Sequence, residues 1–242
     1  MSLRTVVIGI QARSLSTRLP NKIHLLVGGK TILQTIIDIC HAAMKYTQKD
    51  SMRLNANVKL CLLVPKGDPA IIIYRNQIET YEGDEQDVLS RYVEAQKAFN
   101  ADYVVRITSD CYHHQSHLIA KHIKSALIKE RDYTTNCLIR TFKEGLDTQV
   151  FSSRLLNWID KNAKTTFHRE HVGTILDGLK PRDFPFKDAD GKPSVCHVLN
   201  NFDESEYKTS IDTKEDYEKS KSIEEKFRKS KDVARRAGIF VT

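Results

Sequence analysis

No stretch of the chain approaches the roughly 20 consecutive apolar residues that a membrane-spanning helix needs. That sets aside a helical membrane protein. No secretory leader with an apolar centre and a small-residue cleavage site precedes the first apolar run, Thr5–Ile10, so a cytoplasmic protein is expected. The five cysteines, Cys40, Cys61, Cys111, Cys137 and Cys196, are far apart and form no Cys-x-x-Cys pair. This argues against structural zinc and fits a reducing compartment. No Gly-x-Gly-x-x-Gly follows the first apolar run, so a dinucleotide fingerprint is missing. Gly29, Lys30 and Thr31 match the end of a P-loop, but the first glycine of that motif would fall on His24. His168 and His171 lie three apart and do not make the His-Glu-x-x-His pattern of a zinc protease. Neither an internal repeat nor a low-complexity tract is present.

What remains is an ordinary globular composition, long enough to bury a core without metal or disulfide staples. The net charge is +7, which raises a nucleic-acid reading. From Lys214 to Arg236, however, the basic residues alternate with Glu215, Asp216, Glu218, Glu224, Glu225 and Asp232, the pattern of a solvated helix face. The positive excess suits anionic small substrates, which it would steer. No nucleic-acid or membrane partner is expected.

The apolar pattern predicts alternating strands and helices. Thr5–Ile10, Val58–Val64 and Tyr103–Thr108 read as buried strands. Helices are predicted from a Thr31 cap to about Tyr46, over Asp68 to about Thr80, over Asp87–Phe99 and over His117–Lys129. Ile23–Val27 reads as a short apolar segment, and residues 47–57 and 81–86 as loops. In the second part, Asp132–Asn136, Asp147–Phe151, Val195–Leu199 and Tyr207–Ile211 are strand candidates. Ser153–Asn162, Arg169–Gly178 and Glu215 to about Ala237 are helix candidates, and Lys180–Pro193 is a loop. The order implies an α/β fold with a doubly wound three-layer core. One domain is expected, with a nucleotide-binding core over about residues 4–130, an acceptor-side region over about 131–206, and a returning strand with closing helix over about 207–242.

Three features carry chemistry. The loop from Gln11 to Lys22 leaves a strand end and holds Arg13, Ser14, Ser16, Thr17, Arg18 and Lys22. Backbone N–H groups, hydroxyls and fixed cations make it either a phosphate cradle or a basic surface loop. Asp110 and Asp212 each end an extended run. Either could be a turn former, but two carboxylates delivered to one sheet edge can share a hard divalent cation. Asp87 can cap a helix whose first turn carries Ser90 and Arg91. Together these features suggest an enzyme that handles a nucleoside triphosphate with magnesium.

The ordered set resembles the cytidylyltransferase superfamily, in particular its SpsF-like branch. It runs through Ile10–Arg13, Ser16–Pro20, Lys22, Gly28–Lys30, Asp87–Tyr92, Ala101, Asp102, Val104–Thr108, Asp110, Cys111, Gly145–Asp147, Val150, Phe151, Arg169–Val172, Ile211–Thr213, Glu215 and Asp216, over nearly the whole chain. The resemblance implies a Rossmann-like nucleotidyltransferase fold with a mostly parallel sheet, a small projecting subdomain and a homodimer. It implies a CTP-dependent enzyme that forms a CMP-activated sugar acid in surface polysaccharide biosynthesis. A phosphate or phosphonate acceptor, or a non-catalytic nucleotide-binding module, are the alternatives. Asp110 and Asp212 match the aspartates that hold Mg²⁺, and Arg13 and Lys22 match residues that grip CTP phosphates. Gln11, Ala12, Ser14, Arg18, Asp87, Ser90, Arg91 and Ser109 fall in nucleotide-side segments. Arg140, Asp147, Gln149, Arg169 and His171 would form the wall for a small anionic acceptor. The branch usually has Met-Gly at Ser14 and Leu15, and Gly at Asn21. It usually continues with proline and apolar residues where this chain has Tyr112 to Gln115.

Overall fold

The computed structural model describes residues 3–49 and 54–236. In chain order the elements are β1 (Arg4–Gln11), β2 (Leu26–Val27), β3 (Lys30–Thr31), α1 (Ile32–Gln48), β4 (Ala56–Pro65), α2 (Ala70–Tyr74), β5 (Glu79–Gly83), α3 (Val88–Ala98), β6 (Tyr103–Thr108), α4 (Ser116–Lys129), β7 (Tyr133–Thr135), β8 (Gln149–Ser152), α5 (Ser153–Asn162), α6 (Thr166–His171), β9 (Val195–His197) and α7 (Lys214–Arg236).

β1 is apolar on both faces because it lies inside the sheet. It pairs in parallel with β4, from Arg4 opposite Ala56 to Gln11 opposite Leu63. On its other side it pairs in parallel with β6, from Val6 opposite Tyr103 to Gln11 opposite Thr108. The full sheet runs β5-β4-β1-β6-β8-β7-β9. β8 is antiparallel to both β6 and β7, and the other pairings are parallel. A separate antiparallel pair joins β2 to β3. Successive side chains of a strand point to opposite faces, so β1 feeds two cores. Val6, Ile8 and Ile10 pack with Leu33, Ile36 and Ile37 of α1 and Ile119 and Ile123 of α4. Val7 packs with Leu89 and Tyr92 of α3 and Leu155 and Ile159 of α5. The result is a three-layer α/β fold. Burying an Ile or Val side chain of this kind contributes about 1.5–3 kcal/mol. Among the described residues, no helix is long and apolar enough to cross a membrane.

Several predicted elements take a different form. The helix expected over Asp68 to Thr80 is only the short α2, and the chain then enters β5, part of which reads as loop in the sequence. β5 is an edge strand paired only with β4. With one paired edge and a half-exposed face, it needs no apolar alternation. The Ile23–Val27 segment divides into a 3-10 turn over Lys22–His24 and the two residues of β2. The helix expected over Arg169–Gly178 is two pieces, α6 and a 3-10 turn over Val172–Leu176, with the break at Val172, whose φ is +47°. The end of the closing helix predicted near Ala237 lies outside the described residues, as do residues 50–53 of the predicted 47–57 loop.

The most consequential difference concerns Tyr207–Ile211, which is not a strand of the sheet. It is extended backbone tied to a loop: the Glu144 N–H donates to the Tyr207 carbonyl at 2.9 Å, and the Thr209 N–H donates to the Glu144 carbonyl at 2.7 Å. Gly145 makes this approach feasible. Its φ is +99°, and a Cβ there would lie 2.5 Å from the Ser210 nitrogen. Gly145→Ala therefore combines backbone strain with a collision. It should destabilise the protein by about 1–3 kcal/mol, measured by urea denaturation, whereas Gly178→Ala, which also has positive φ but meets nothing within 4 Å, should cost less.

Candidate active site

Ligands of open α/β sheets bind beyond the carboxyl ends of the strands, where neighbouring strands lead their connections in opposite directions. Here that point is the end of β1 beside β6. The Ser109 N–H donates to the Gln11 carbonyl at 3.1 Å, so the loops leaving the two strands start side by side. A cleft of about 270 Å³ opens between them. Gln11, Ala12, Arg13, Arg18, Lys22, Arg91, Ser109, Asp110 and Asp212 all line it, together with Arg106, Thr108, Glu85, Glu170 and His171.

Asp110 and Asp212, a hundred residues apart in sequence, meet on one ammonium group. Lys22 Nζ lies 3.6 Å from Asp110 Oδ2 and 3.1 Å from Asp212 Oδ1. It also donates to the Ile211 carbonyl at 2.9 Å. Arg18 Nη2 reaches the same Asp212 oxygen at 3.1 Å. The Thr108 hydroxyl donates to Asp110 Oδ1 at 2.5 Å. The other Asp212 oxygen takes the Lys208 ammonium at 3.1 Å and the Ser210 hydroxyl at 3.1 Å. Burial pushes the Asp212 carboxyl up, but Lys22 and Lys208 outweigh it and hold the group below the usual carboxylate range. Asp212 is therefore ionised at neutral pH.

Asp216 fixes the turn that presents Asp212. Its Oδ2 accepts the backbone N–H groups of Asp212 and Thr213, each at 3.0 Å, and pairs with Lys208 at 2.8 Å. The Thr213 hydroxyl in turn accepts the Asp216 N–H at 3.2 Å. This reciprocal capping starts α7.

A second cavity, of about 300 Å³, adjoins the first and shares Arg106, Thr108, Asp110, His171 and Asp212 with it. Arg140, Asp147 and Gln149 line its far side. Arg140 is already engaged there, in a two-pronged pair with Asp147 at 2.6 and 3.1 Å.

Four of the expected site residues line neither cavity. Ser14 is buried, and its N–H and hydroxyl both bond to Asp68, at 2.7 and 2.6 Å. Asp87 caps α3 through the Ser90 N–H at 2.9 Å, so Ser90 faces its own helix start. Arg169 binds Asp87 at 2.6 Å and Asp160 at 2.9 Å, tying α6 to α3 and α5. Arg106, Thr108, Glu85, Glu170 and Lys208 were not singled out by the sequence reading as site residues. A lone arginine inside the apolar Tyr103–Thr108 run was the one available signal among them.

The donor set suits a hard cation. Two carboxylates on separate segments point at one positive charge, with no thiol or imidazole between them. Mg²⁺ is characteristically held by one or two carboxylates with phosphate oxygens and water completing its shell. Among the described residues no group of three or more His, Cys, Asp or Glu is assembled for a metal, so an all-protein cage is not on offer.

No family model matches the chain. An uncharacterized protein of Methanocaldococcus jannaschii is 34% identical over 171 residues, 69% of this chain and 65% of that protein's length. The spore coat polysaccharide biosynthesis protein SpsF of Bacillus subtilis is 26% identical over 228 residues, 93% of this chain and 88% of SpsF. The structure of a cytidylyltransferase from Leptospira borgpetersenii matches with a TM-score of 0.71 and 29% identity, over 90% of this chain and 86% of that one.

The chain is similar in sequence and fold to the cytidylyltransferase superfamily.

Two more distant structures share the fold. A CMP:2-keto-3-deoxy-manno-octonic acid synthetase complexed with CTP superposes with a TM-score of 0.57 at 11% identity, over 90% of this chain and 98% of that one. Rv0371c of Mycobacterium tuberculosis, complexed with manganese, superposes at 0.58 and 12%, over 90% and 98%. In this chain the carboxyl edge of β1 and β6 carries the cationic cleft, and the Asp212 turn closes one side of it.

The turn is open to test through Asp216. Burial raises its pKa, but Lys208 and the Asp212 and Thr213 amides prevail and bring it to about 2. The unfolded value is about 3.9, so its stabilising effect is complete above that pH and is lost as pH falls toward 2. Between pH 4 and 2 the melting temperature of the wild type should fall more steeply than that of Asp216→Asn. Parallel curves would show that Asp216 does not hold the turn.

Proposed function

We propose that this chain transfers the cytidylyl group of CTP to the hydroxyl of a small sugar acid, releasing pyrophosphate. The observation that carries the proposal is the meeting of Asp110 and Asp212 at Lys22, where the cationic cleft joins a second cavity. In this reading Arg13, Arg18 and Lys22 receive the β and γ phosphates. Their positive charge offsets what develops on the departing pyrophosphate, the electrostatic contribution that usually dominates such catalysis. Arg91, pressed below its ordinary value by burial, adds fixed charge beneath the nucleotide.

The acceptor occupies the second cavity. Its hydroxyl oxygen bonds to the α-phosphorus while the bond from that phosphorus to the bridging oxygen breaks, and pyrophosphate leaves with the electron pair. His171, which lines both cavities, takes the hydroxyl proton in this reading. Asp110 and Asp212 would hold a divalent cation such as Mg²⁺, which polarises phosphoryl oxygens when bound. The two cavities hold donor and acceptor side by side, so that reaction becomes intramolecular in character. The likeness to SpsF supports a product destined for a surface polysaccharide.

The test is a pyrophosphate-release assay with CTP, Mg²⁺ and a panel of sugar acids. Wild-type protein should turn over at least one, EDTA should stop the reaction, and the double variant Asp110→Asn, Asp212→Asn should lose roughly 10²-fold or more. Full turnover by that variant would remove the aspartates from the mechanism.

A further inference from the structure

The second cavity carries one carboxylate without a bonded partner. Asp177 lines that cavity and not the first. Among the described residues its carboxyl group makes no ion pair and accepts no hydrogen bond. Every other carboxylate of the two cavities is engaged. Asp110 and Asp212 hold Lys22, and Asp147 holds Arg140. Glu85 and Glu170 each lie 3.8 Å from Arg13. Glu144 accepts the Ser210 hydroxyl at 3.3 Å.

The backbone sets the place of Asp177. It directly follows the 3-10 turn over Val172–Leu176. Gly173 lets that turn lie against β8, since a Cβ there would collide with the side-chain amide of Gln149. Leu176 is buried in the core, and the Asp177 N–H donates to the Thr174 carbonyl at 3.1 Å. The carboxylate therefore stands on a fixed turn. The residue is exposed, yet desolvation still lifts its carboxyl above the usual carboxylate range, and the attraction of His168 offsets this only in part. The arginines of the same cavity are engaged elsewhere. Arg140 is in its two-pronged pair with Asp147. Arg106 donates to the side-chain amides of Gln11 and Gln149, at 2.9 Å each. A partly desolvated carboxylate is relieved by an opposite charge, whereas a hydroxyl bonded to it leaves the charge in place.

We infer that the acceptor carries a protonated amine, and that Asp177 is the specificity-determining residue that binds this amine, away from the attacking hydroxyl. The inference rests on the proposed cytidylyl transfer. In that reading the transfer takes place where the two cavities meet, at Arg106, Thr108, Asp110, His171 and Asp212. Asp177 is not among these residues, so the group it binds belongs to the body of the sugar. An ammonium group gives the carboxylate both a counter-charge and a charge-assisted hydrogen bond, which is about twice as strong as a neutral one. A hydroxyl or an acetamide on the same carbon gives the weaker bond alone. The acceptor is thus an amino sugar acid, selected over its hydroxy and N-acetyl counterparts.

The experiment measures binding by calorimetry to the full chain loaded with Mg²⁺ and a non-hydrolysable CTP analogue. The probes are 2-keto-3-deoxy sugar acids in matched triplets, with an amino, a hydroxy or an N-acetylamino group on the same carbon, and that carbon varied along the sugar. Near neutral pH the amino form is protonated. Wild-type protein should bind the amino form of at least one triplet more tightly than both others, by on the order of 10-fold or more. Asp177→Asn should lose that preference while keeping its melting temperature and its affinity for the CTP analogue. Asp177→Glu should retain part of the preference, since it keeps the charge on a longer stem. Asp177→Ser supplies the same comparison if Asp177→Asn folds poorly. The inference is overturned if wild type binds the hydroxy or N-acetyl forms as well as the amino form, if Asp177→Asn or Asp177→Ser keeps the preference, or if no member of the panel binds. Failure of wild type to bind the CTP analogue at all is a separate result that sinks the proposed function itself.

Discussion

One backbone hydrogen bond decides where the second aspartate goes. The Ile211 N–H donates to the Asp110 carbonyl at 2.9 Å, so the residue before Asp212 is locked to the backbone of its partner carboxylate. Asp110 stands at the end of a central strand and is placed by the sheet. Asp212 has no strand of its own. Its position follows from that bond, from the Glu144 contacts to Tyr207 and Thr209, from the absence of a Cβ on Gly145 and from the Asp216 cap. The active-site geometry therefore depends on how the segment before α7 docks, more than on the rigidity of the sheet.

Two carboxylates in one cleft repel each other unless positive charge lies between them. Lys22 supplies it, and its third contact, to the Ile211 carbonyl, ties that charge to the same docking segment. Lys208 performs the matching role outside the cleft, shared between Asp212 and Asp216. The carboxylates are paired with cations that are equally suited to phosphate oxygens. Under the proposed function, a triphosphate entering with its cation would exchange one set of ion pairs for another without leaving a charge bare, which avoids the large penalty of a buried unpaired ion.

Much of this was legible in the sequence where burial is two-sided and local. The Tyr103–Thr108 strand and the Ser153–Asn162 helix have the bounds that their apolar patterns predict. The superfamily likeness located the aspartates and the basic loop. What escaped was set by partners distant in sequence. β5 carries Glu79 and Glu82 because it is an edge. Tyr207–Ile211 has a strand's composition, but at its place the sheet offers no free edge to join, only a loop. Arg169 looks like an acceptor contact until its bonds to Asp87 and Asp160 are seen. Arg106 has no spacing signature, since one charge in an apolar run has meaning only when its neighbours across the sheet prove to be amides.

The departures from the branch pattern in the basic loop also resolve in physical terms. Asn21 stands where glycine is usual, and its φ is +56°. Asparagine is among the few side chains that tolerate this left-handed conformation, so the turn survives the exchange. At Ser14 and Leu15 a different device operates. Leu15 points outward and is 72% exposed, while Ser14 is pinned through its N–H and hydroxyl to Asp68, with His24 on the same hydroxyl at 2.8 Å. Asp68 follows β4, and its Oδ1 also accepts the Ala70 N–H at 2.9 Å. The cationic loop is thus anchored to the connection after the neighbouring strand. A loop that relied on glycine for its shape would gain freedom with each one, whereas this loop takes its shape from a buried carboxylate and so presents Arg13, Arg18 and Lys22 from a fixed base.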